Sequence, residues 1–363
     1  MNTYIFGAKA TAVGLYKALS VINPNTHVDG FLVSQMGNNQ KNIFGCSVRL
    51  LDDVARNMSD KEKYEAVIYV AVPELIHTDV RALIVEKGFR NLIMIDSRCE
   101  ANIMEKYFAC KTSFRSVHNL PMKSIEPPKI TIYVASFYKD KPLEHPPKRA
   151  AYAKKLYLGC YQARKQRINI PKWVDCFDDT GDNISFKNPN YCEMTAYYWI
   201  WKNKLSTDDE YIGVYHYRRI LDINDADLMR MKLNDVDVIL PFPMIHYPNS
   251  LIHHTWYISE DDWATMKKAL EEIYPVYASA IDDVFSQKFF YNYNMMIAKK
   301  NVFAEYCSWL FPLLNYIEEN SNPRASERND RYIGYISEQL MSLFFLCRKD
   351  DFKIYHTGRL LYT

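Results

Sequence analysis

The side chains best suited to chemistry fall in the second half of this sequence. Arg218 and Arg219 stand together at the end of the apolar run YIGVYHYRRI. Adjacent guanidiniums at the end of a buried strand cannot both face a dry core unpaired, and their planar forks match carboxylate or phosphate. They point either to an anionic ligand or to surface salt bridges with the acidic stretch 222–227. Upstream, Asp175, Asp178, Asp179 and Asp182 crowd into a turn with Gly181 and Asn183. Such carboxylates bind hard cations through oxygen or accept hydrogen bonds from sugar hydroxyls. An Asp/Gly/Asn turn that merely caps a helix has the same composition, so both readings stay open. His253 and His254 are adjacent, which sends their rings to different sides and makes them poor joint ligands. Asp261 and Asp262 follow in ISEDDW.

Composition narrows the classes. Lys plus Arg number 45 against 43 Asp plus Glu, a net charge of +2, so there is no bulk electrostatic reason to bind nucleic acid and any anion site must be local. The eight cysteines stand singly, without C-x-x-C or zinc-type Cys/His spacing, and read as reduced thiols. Tyrosine is the outlier: 28 residues, mostly in the second half, each with a flat apolar face and a polar tip that suits a core edge or a sugar surface.

These residues need rigid elements to hold them. Residues 3–6, 28–33, 66–72 and 91–95 read as buried strands, while 10–20 and 75–87 have helical spacing. That alternation predicts parallel β-α-β units, whose ligands sit at the C-terminal strand ends. The first turn puts Gly7, Lys9 and Ala12 where a dinucleotide fingerprint needs three glycines, which argues against an intact NAD site. Residues 116–129, SVHNLPMKSIEPPK, are proline-rich and aperiodic and mark a linker between a domain at 1–115 and another at 130–363. In the second domain, residues 191–201 are apolar nearly all round and predict a buried helix, entered through Pro189 and Asn190 with Glu193 as capping partner. YIGVYHY and VDVIL read as buried strands. No apolar run approaches the roughly 20 residues of a bilayer span, and the N-terminus lacks a secretory pattern, so a cytoplasmic protein is expected.

The N-terminal part resembles the small Rossmann-like domain that precedes the catalytic part of bacterial sugar O- and N-acetyltransferases, through YIFGAKATAVGLYKAL, VDGFLV, FGCSVRLLDDV, AVIYVAV and GFRNLIMID. In that family the domain helps hold the nucleotide sugar. No left-handed β-helix repeat follows, so acetyl transfer is not implied, and a docking or regulatory domain is the other reading. In the second domain the motifs DDTGDNISFKNPNYCEMTAYYWIWKN, YIGVYHYRRIL, DVILPFP, YNYNMMIAKKNVFAEYCSWLF and RYIGYISEQL occur in that order. Together they resemble a family of bacterial capsular-polysaccharide and O-antigen glycosyltransferases, formerly a domain of unknown function, some of whose members transfer galactofuranose. The likeness spans about residues 130–363.

The resemblance implies an α/β chain with a small Rossmann-like N-terminal domain followed by a glycosyltransferase-A-like catalytic domain. It also implies a donor, a nucleotide diphosphate sugar (UDP-galactose or UDP-galactofuranose), and an acceptor, a saccharide or polyprenyl-diphosphate-linked glycan. By position in that fold, Val134, Ala135 and Ser136 meet the nucleotide base. In glycogenin-like transferases an Asp-x-Asp at a strand end holds a divalent metal on the diphosphate. The matching strand here ends VYHYRR, so His216, Arg218 and Arg219 stand in place of the aspartates and can neutralise the diphosphate without Mn or Mg. The alternative keeps Asp178, Asp179 or Asp182 as metal ligands, with Asp179, Asp182 and Asn183 near the donor. Asn292 and Asn294 resemble the floor of the sugar site, and His356 with Gly358 a late pair that contacts phosphate.

An inverting transfer needs a carboxylate base for the acceptor hydroxyl. Glu338 in GYISEQL is the candidate, expected to open an apolar helix; capping that helix is its other reading. Asp262 and Asp261 are its substitutes. The basic stretch from Lys139 to Arg164 predicts a helix that faces solvent or touches an anionic membrane surface. Two further readings stay open: a non-catalytic carbohydrate-binding or assembly protein on a transferase scaffold, and an NAD- or nucleotide-sugar-modifying enzyme centred on the first domain.

Overall fold

The computed structural model describes residues 2–171, 174–324 and 327–363; Lys172 and Trp173, at the head of the aspartate-rich segment, lie outside them. Two sheets organise the chain. The first holds β1 (Thr3–Phe6), β2 (Gly30–Val33), β3 (Asn42–Ile43), β4 (Cys46–Leu50), β5 (Val67–Val70) and β6 (Asn91–Met94) in the order β3-β4-β2-β1-β5-β6. All pairings are parallel except β3 with β4. Strand order reverses at β1, where the chain turns at Gly7 with φ +123°. A Cβ there would lie 2.4 Å from the Ala71 carbonyl oxygen, so both angle and space demand glycine. The crevice above this turn, where a dinucleotide lies in such folds, is covered by the other half of the protein. Lys9 Nζ sits 4.6 Å from the centre of the Trp256 ring, Gln40 Nε2 donates to the Tyr247 carbonyl at 3.0 Å, and Phe44 packs edge-on against Tyr247.

The second sheet begins with β7 (Ile130–Phe137), β8 (Ala153–Leu158), β9 (Cys176–Phe177), β10 (Tyr211–His216), β11 (Arg219–Leu221) and β12 (Val238–Pro241). A small hairpin pairs β13 (Met244–Ile245) with β14 (Phe289–Phe290), and β15 (Met296–Lys299), β16 (Ile354–Thr357) and β17 (Arg359–Leu361) complete the large sheet. Its order is β16-β12-β15-β10-β7-β8-β9, with β11 joining β10 to β17. β7, β8, β9 and β10 are parallel, and β15 is antiparallel to β10 and β12. The chain passes from β7 to β8 on one side and has β10 on the other, so the carboxyl ends of β7 and β10 form a topological switch point.

Helices Met194–Asn203, Lys300–Asn320 and Tyr332–Cys347 share one core with this sheet, and burial explains why their sequences are apolar on most faces. Much of the tyrosine surplus lies here: Tyr133, Tyr197, Tyr291, Tyr306 and Tyr332 are among the largest fully buried side chains, and Tyr197 stacks on Phe303 at 5.4 Å. Helix Ser97–Lys111 joins the two sheets. Phe108 stacks on Phe242 at 5.3 Å, Glu100 pairs with Arg359 at 3.2 Å, and Ser97 Oγ accepts the Leu361 N–H. Gly358 is required by this close approach, since a Cβ would meet that of Ala101 at 2.3 Å.

Two expectations are corrected. Residues 191–201 do not form one helix: Asn188–Tyr191 ends at Cys192, whose φ is +49°, and a new helix starts at Met194. The break turns the Glu193 side chain away from its expected capping role and toward Asn294. The basic stretch from Lys139 is not a helix either. It runs as a loop to residue 152, continues as β8, and ends in the short helix Cys160–Lys165, because prolines 142, 146 and 147 remove the donors a helix needs. Among the described residues no helix is long and apolar enough to cross a membrane.

Candidate active site

A cavity of about 570 Å³ opens at the carboxyl ends of β7 and β10. Strand alternation decides which side chains reach it: Ile132, Val134 and Ser136 line it, whereas Tyr133 and Ala135 point into the core on the opposite face. Ala135 is therefore corrected from a donor contact to a core residue, while Ser136 lines the cavity. Tyr138, Tyr152, Tyr215 and Tyr217 supply flat walls, and the buried Tyr215 hydroxyl has no partner. The loop after β7 adds Asp140, which the sequence did not single out. Burial pushes its carboxyl up to about 6, against the Phe137 N–H that it accepts at 2.6 Å and the nearby Arg218 and Arg331.

Arg218 and Arg331 connect the cavity to a cluster of positive charge. Arg218 leans over Tyr217 with Nε buried and unpartnered. Arg219 and Arg359 both face the Tyr293 ring, at 4.5 and 4.6 Å from its centre. Arg331, left-handed at φ +68°, precedes helix Tyr332–Cys347 and reaches Cys192 Sγ. Among the described residues, Arg359 pairs with Glu100, but no carboxylate lies within ion-pair distance of Arg218, Arg219 or Arg331. Burial lowers the Arg219 pKa, with Arg359 and Arg218 adding repulsion. His216 does not join them as a cation. Burial, helped by Arg219 and Arg331, presses it down to about 4, so it is a neutral imidazole with Nε2 unpartnered. Its expected role in neutralising charge is corrected on that ground.

Glu338 faces this cluster. It lies inside helix Tyr332–Cys347 rather than at its start, which removes the capping reading. Only 12% of its side chain is exposed; Oε1 accepts the Tyr293 N–H at 3.1 Å, and Oε2 lies 3.8 Å from His253 Nε2. Burial and the Glu193 carboxylate raise the Glu338 pKa to about 8, against the Tyr293 N–H, Arg219 and Arg331. The loop beneath is strained, with two successive non-glycine residues left-handed: Tyr293 at φ +77° and Asn294 at φ +41°. Asn294 Nδ2 donates to Glu193 Oε1 at 2.8 Å and to Ser337 Oγ at 2.9 Å. Asn292 bonds the His253 ring, which Gln339 holds from its other nitrogen. Both asparagine Oδ1 atoms are buried without partners, so these residues position Glu193 and His253 and keep one acceptor each free. His254 points away, stacked on Trp263.

Other expected residues lie elsewhere. Asp178 accepts from Gly159 N, Cys160 N, Ser185 Oγ and Thr195 Oγ1 and is 1% exposed, so its lone pairs are spent on holding two helix starts. Asp179 pairs with Arg164, Asp182 accepts from the Tyr198 hydroxyl, and Asn183 closes the turn onto Gly181. The metal and donor readings of this cluster give way to the capping turn. Asp262 is fully buried in a two-point pair with Arg328, 2.9 Å on each side, which leaves it no role as a base. His356 is held by the Tyr291 hydroxyl at 2.8 Å, and burial lowers it to about 3, so it is a packing residue rather than a phosphate contact. Among the described residues no three His, Cys, Asp or Glu side chains converge. Arginines with a neutral histidine at the end of β10 are the wrong donors for a divalent cation, so the residues present do not fit one.

A model of a domain of unknown function, DUF4422, matches residues 132–349. No curated protein matches the chain. Among solved structures it is similar to the apo structure of WbbM, a bifunctional glycosyltransferase, at 27% identity and TM-score 0.53, over 64% of this chain and 45% of that one. The chain thus spans less than half the length of that relative. The mannosyltransferase Ktr4p of S. cerevisiae matches at 11% identity and TM-score 0.29, over 67% of this chain and 76% of that one.

Proposed function

Because the chain belongs to the DUF4422 family, which covers residues 132–349, we propose from the site's geometry that it is a glycosyltransferase acting on a nucleotide diphosphate sugar. The observation that carries this reading is the gathering of Arg218, Arg219 and Arg331, with no carboxylate at ion-pair distance among the described residues, beside a nucleoside-sized cavity at a switch point. Guanidiniums gathered at one place repel one another, and a diphosphate is an anion that two or three guanidinium forks fit well. The likeness to a bifunctional glycosyltransferase supports it.

In this reading the base and ribose lie against the tyrosine walls, with Ser136 and the free Tyr215 hydroxyl as polar contacts, and the diphosphate meets the arginines. The acceptor hydroxyl gives its proton to Glu338 while its oxygen bonds the anomeric carbon. The bond from that carbon to the diphosphate breaks, and the electron pair leaves on the phosphate oxygen, where the guanidiniums stabilise it. The donor is uridine-linked, carrying galactose or galactofuranose. The acceptor is a saccharide or polyprenyl-diphosphate-linked glycan of a capsule or O-antigen, and the reaction takes place in the cytoplasm, at or near the membrane's inner face. Residues 130–363 act as the catalytic unit and 1–115 as a docked Rossmann-like unit across the 116–129 linker.

Calorimetry with UDP and with NAD, followed by incubation with a panel of UDP-sugars, tests this. UDP binds and Arg219→Ala weakens it by about tenfold or more, the worth of one charge-assisted contact. Binding of NAD in place of UDP, or no release of UDP from any sugar, overturns the reading.

A further inference from the structure

A second cavity, of about 620 Å³, shares no lining residue with the first. It runs along the edge strand β16, between the segment Thr112, Ser113, Phe114, Arg115 and the end of helix Tyr332–Cys347. Phe114, Phe289, Phe352 and Tyr355 give it flat apolar surfaces, of the kind that stack on the C–H faces of sugar rings. Its charge is lopsided. Arg115 and Lys349 line it and, among the described residues, have no acidic partner; Lys353 lines it and pairs with Asp235; Asp350 is the one carboxylate in the wall. Lys111 and Lys288 directly adjoin the lining residues Thr112 and Gln287 and, among the described residues, have no acidic ion-pair partner. Both lie close enough to Lys17 to help burial press its ammonium pKa down. In a chain of net charge +2, such a gathering of unpaired cations creates a local positive field.

We propose that this cavity is a second carbohydrate site, for an anionic saccharide bearing carboxylate or phosphate, separate from the donor crevice. Aromatic faces hold the ring and Arg115 with Lys349 hold the anion. The inference rests on the reading that the protein works on glycans. It also gives the first half of the chain a part in recognition, since the 112–115 wall follows directly from its last helix. Tyr291, in the cavity wall, begins the strained loop whose Tyr293 N–H holds Glu338, so an occupant sits one short segment from the candidate base.

Titration calorimetry on the full chain, with UDP saturating the first site, tests it using tetragalacturonic acid, glucose 1-phosphate, neutral maltotetraose and inorganic phosphate. The expected result is binding of tetragalacturonic acid, glucose 1-phosphate or both, with the pattern naming carboxylate or phosphate as the anion, and weaker binding of maltotetraose. The exposed pair Arg115→Ala with Lys349→Ala loses about tenfold or more in affinity, with unchanged melting temperature. Phe352→Ala, a separate variant, weakens the saccharides but not inorganic phosphate. The inference is overturned if neither acidic saccharide binds at millimolar concentration, if UDP displaces them, if the double variant binds like the parent, or if inorganic phosphate binds as tightly as either saccharide. UDP binding in the same cell reports on the donor site independently, so failure of one reading does not hide failure of the other.

Discussion

Replacing Glu338 with glutamine should make the protein more stable and inactive at once, by an amount that depends on pH. The Glu338 carboxyl, ordinarily at 4.5, is raised to about 8 by burial and by Glu193. A raised carboxyl means that the folded state holds the proton more tightly than the unfolded chain. Its contribution is fully present below about pH 4.5 and is lost as pH rises through about 8. At 1.36 kcal/mol per unit, the full loss is about 5 kcal/mol, of which about 4 kcal/mol falls between about pH 5 and pH 9. Glutamine keeps an oxygen for the Tyr293 N–H and carries no charge to bury. With about 2.1 cal/mol/K of unfolding entropy per residue, 363 residues turn that difference into about 5 °C. Thermal melts of parent and Glu338→Gln across this range should show the variant's advantage growing by about that much toward alkaline pH. Turnover should fall by about 10²-fold or more above about pH 8, where the parent's carboxyl is ionised, and by less as pH falls. A stability difference flat in pH, or a parent that gains on the variant as pH rises, would refute the account of this carboxyl; a stabilised variant with parental turnover would refute only its role as base.

The other expectations follow from the same geometry. Arg331→Ala removes one of the cations that hold Glu338 down, so the ascending limb of the kcat/KM profile should move to higher pH as UDP binding weakens; movement to lower pH contradicts the assignment. Glu100→Gln frees Arg359, which packs on Tyr293, and should lower kcat about fivefold, the worth of roughly 1 kcal/mol, while UDP affinity stays; loss of affinity with kcat intact would show that the contact does not act through the loop. Asp178→Ala strands four donors and should cost about 3 kcal/mol or more in urea unfolding, whereas EDTA should leave turnover unchanged in the parent. Loss of activity on chelation, restored by manganese, would return the aspartates to consideration.

Much of the fold was legible because it depends on local pattern. The strands at Thr3–Phe6 and Tyr211–His216 are runs of apolar and β-branched residues, and such runs need no knowledge of their neighbours to be read as buried. Arg218 and Arg219 could be picked out because charge at the end of such a run requires a partner. The same reasoning failed where burial was not encoded locally. Nothing in VYHYRR says that His216 is neutral; that follows from its burial, with Arg219 of the same run and Arg331, brought from elsewhere in the chain, adding to it. Asp178 and Asp179 look alike in sequence, yet one is buried under four donors and the other meets Arg164 at the surface. Asp140, Arg331 and Arg359 gave no signal of their own, Glu193 signalled only a helix cap, and their place at the site became visible only in the folded chain.

The sequence by itself determined the α/β pattern, the tyrosine surplus and the presence of a local cation pair, since each follows from residue type and period. Only the tertiary structure decided which charges remain unpaired, which carboxyl is raised toward neutrality and which face of β7 meets the cavity. Those depend on distances between segments more than a hundred residues apart, as between Glu193 and Asn294 or Glu100 and Arg359, and the electrostatics of a site are set by such distances in a medium that excludes water.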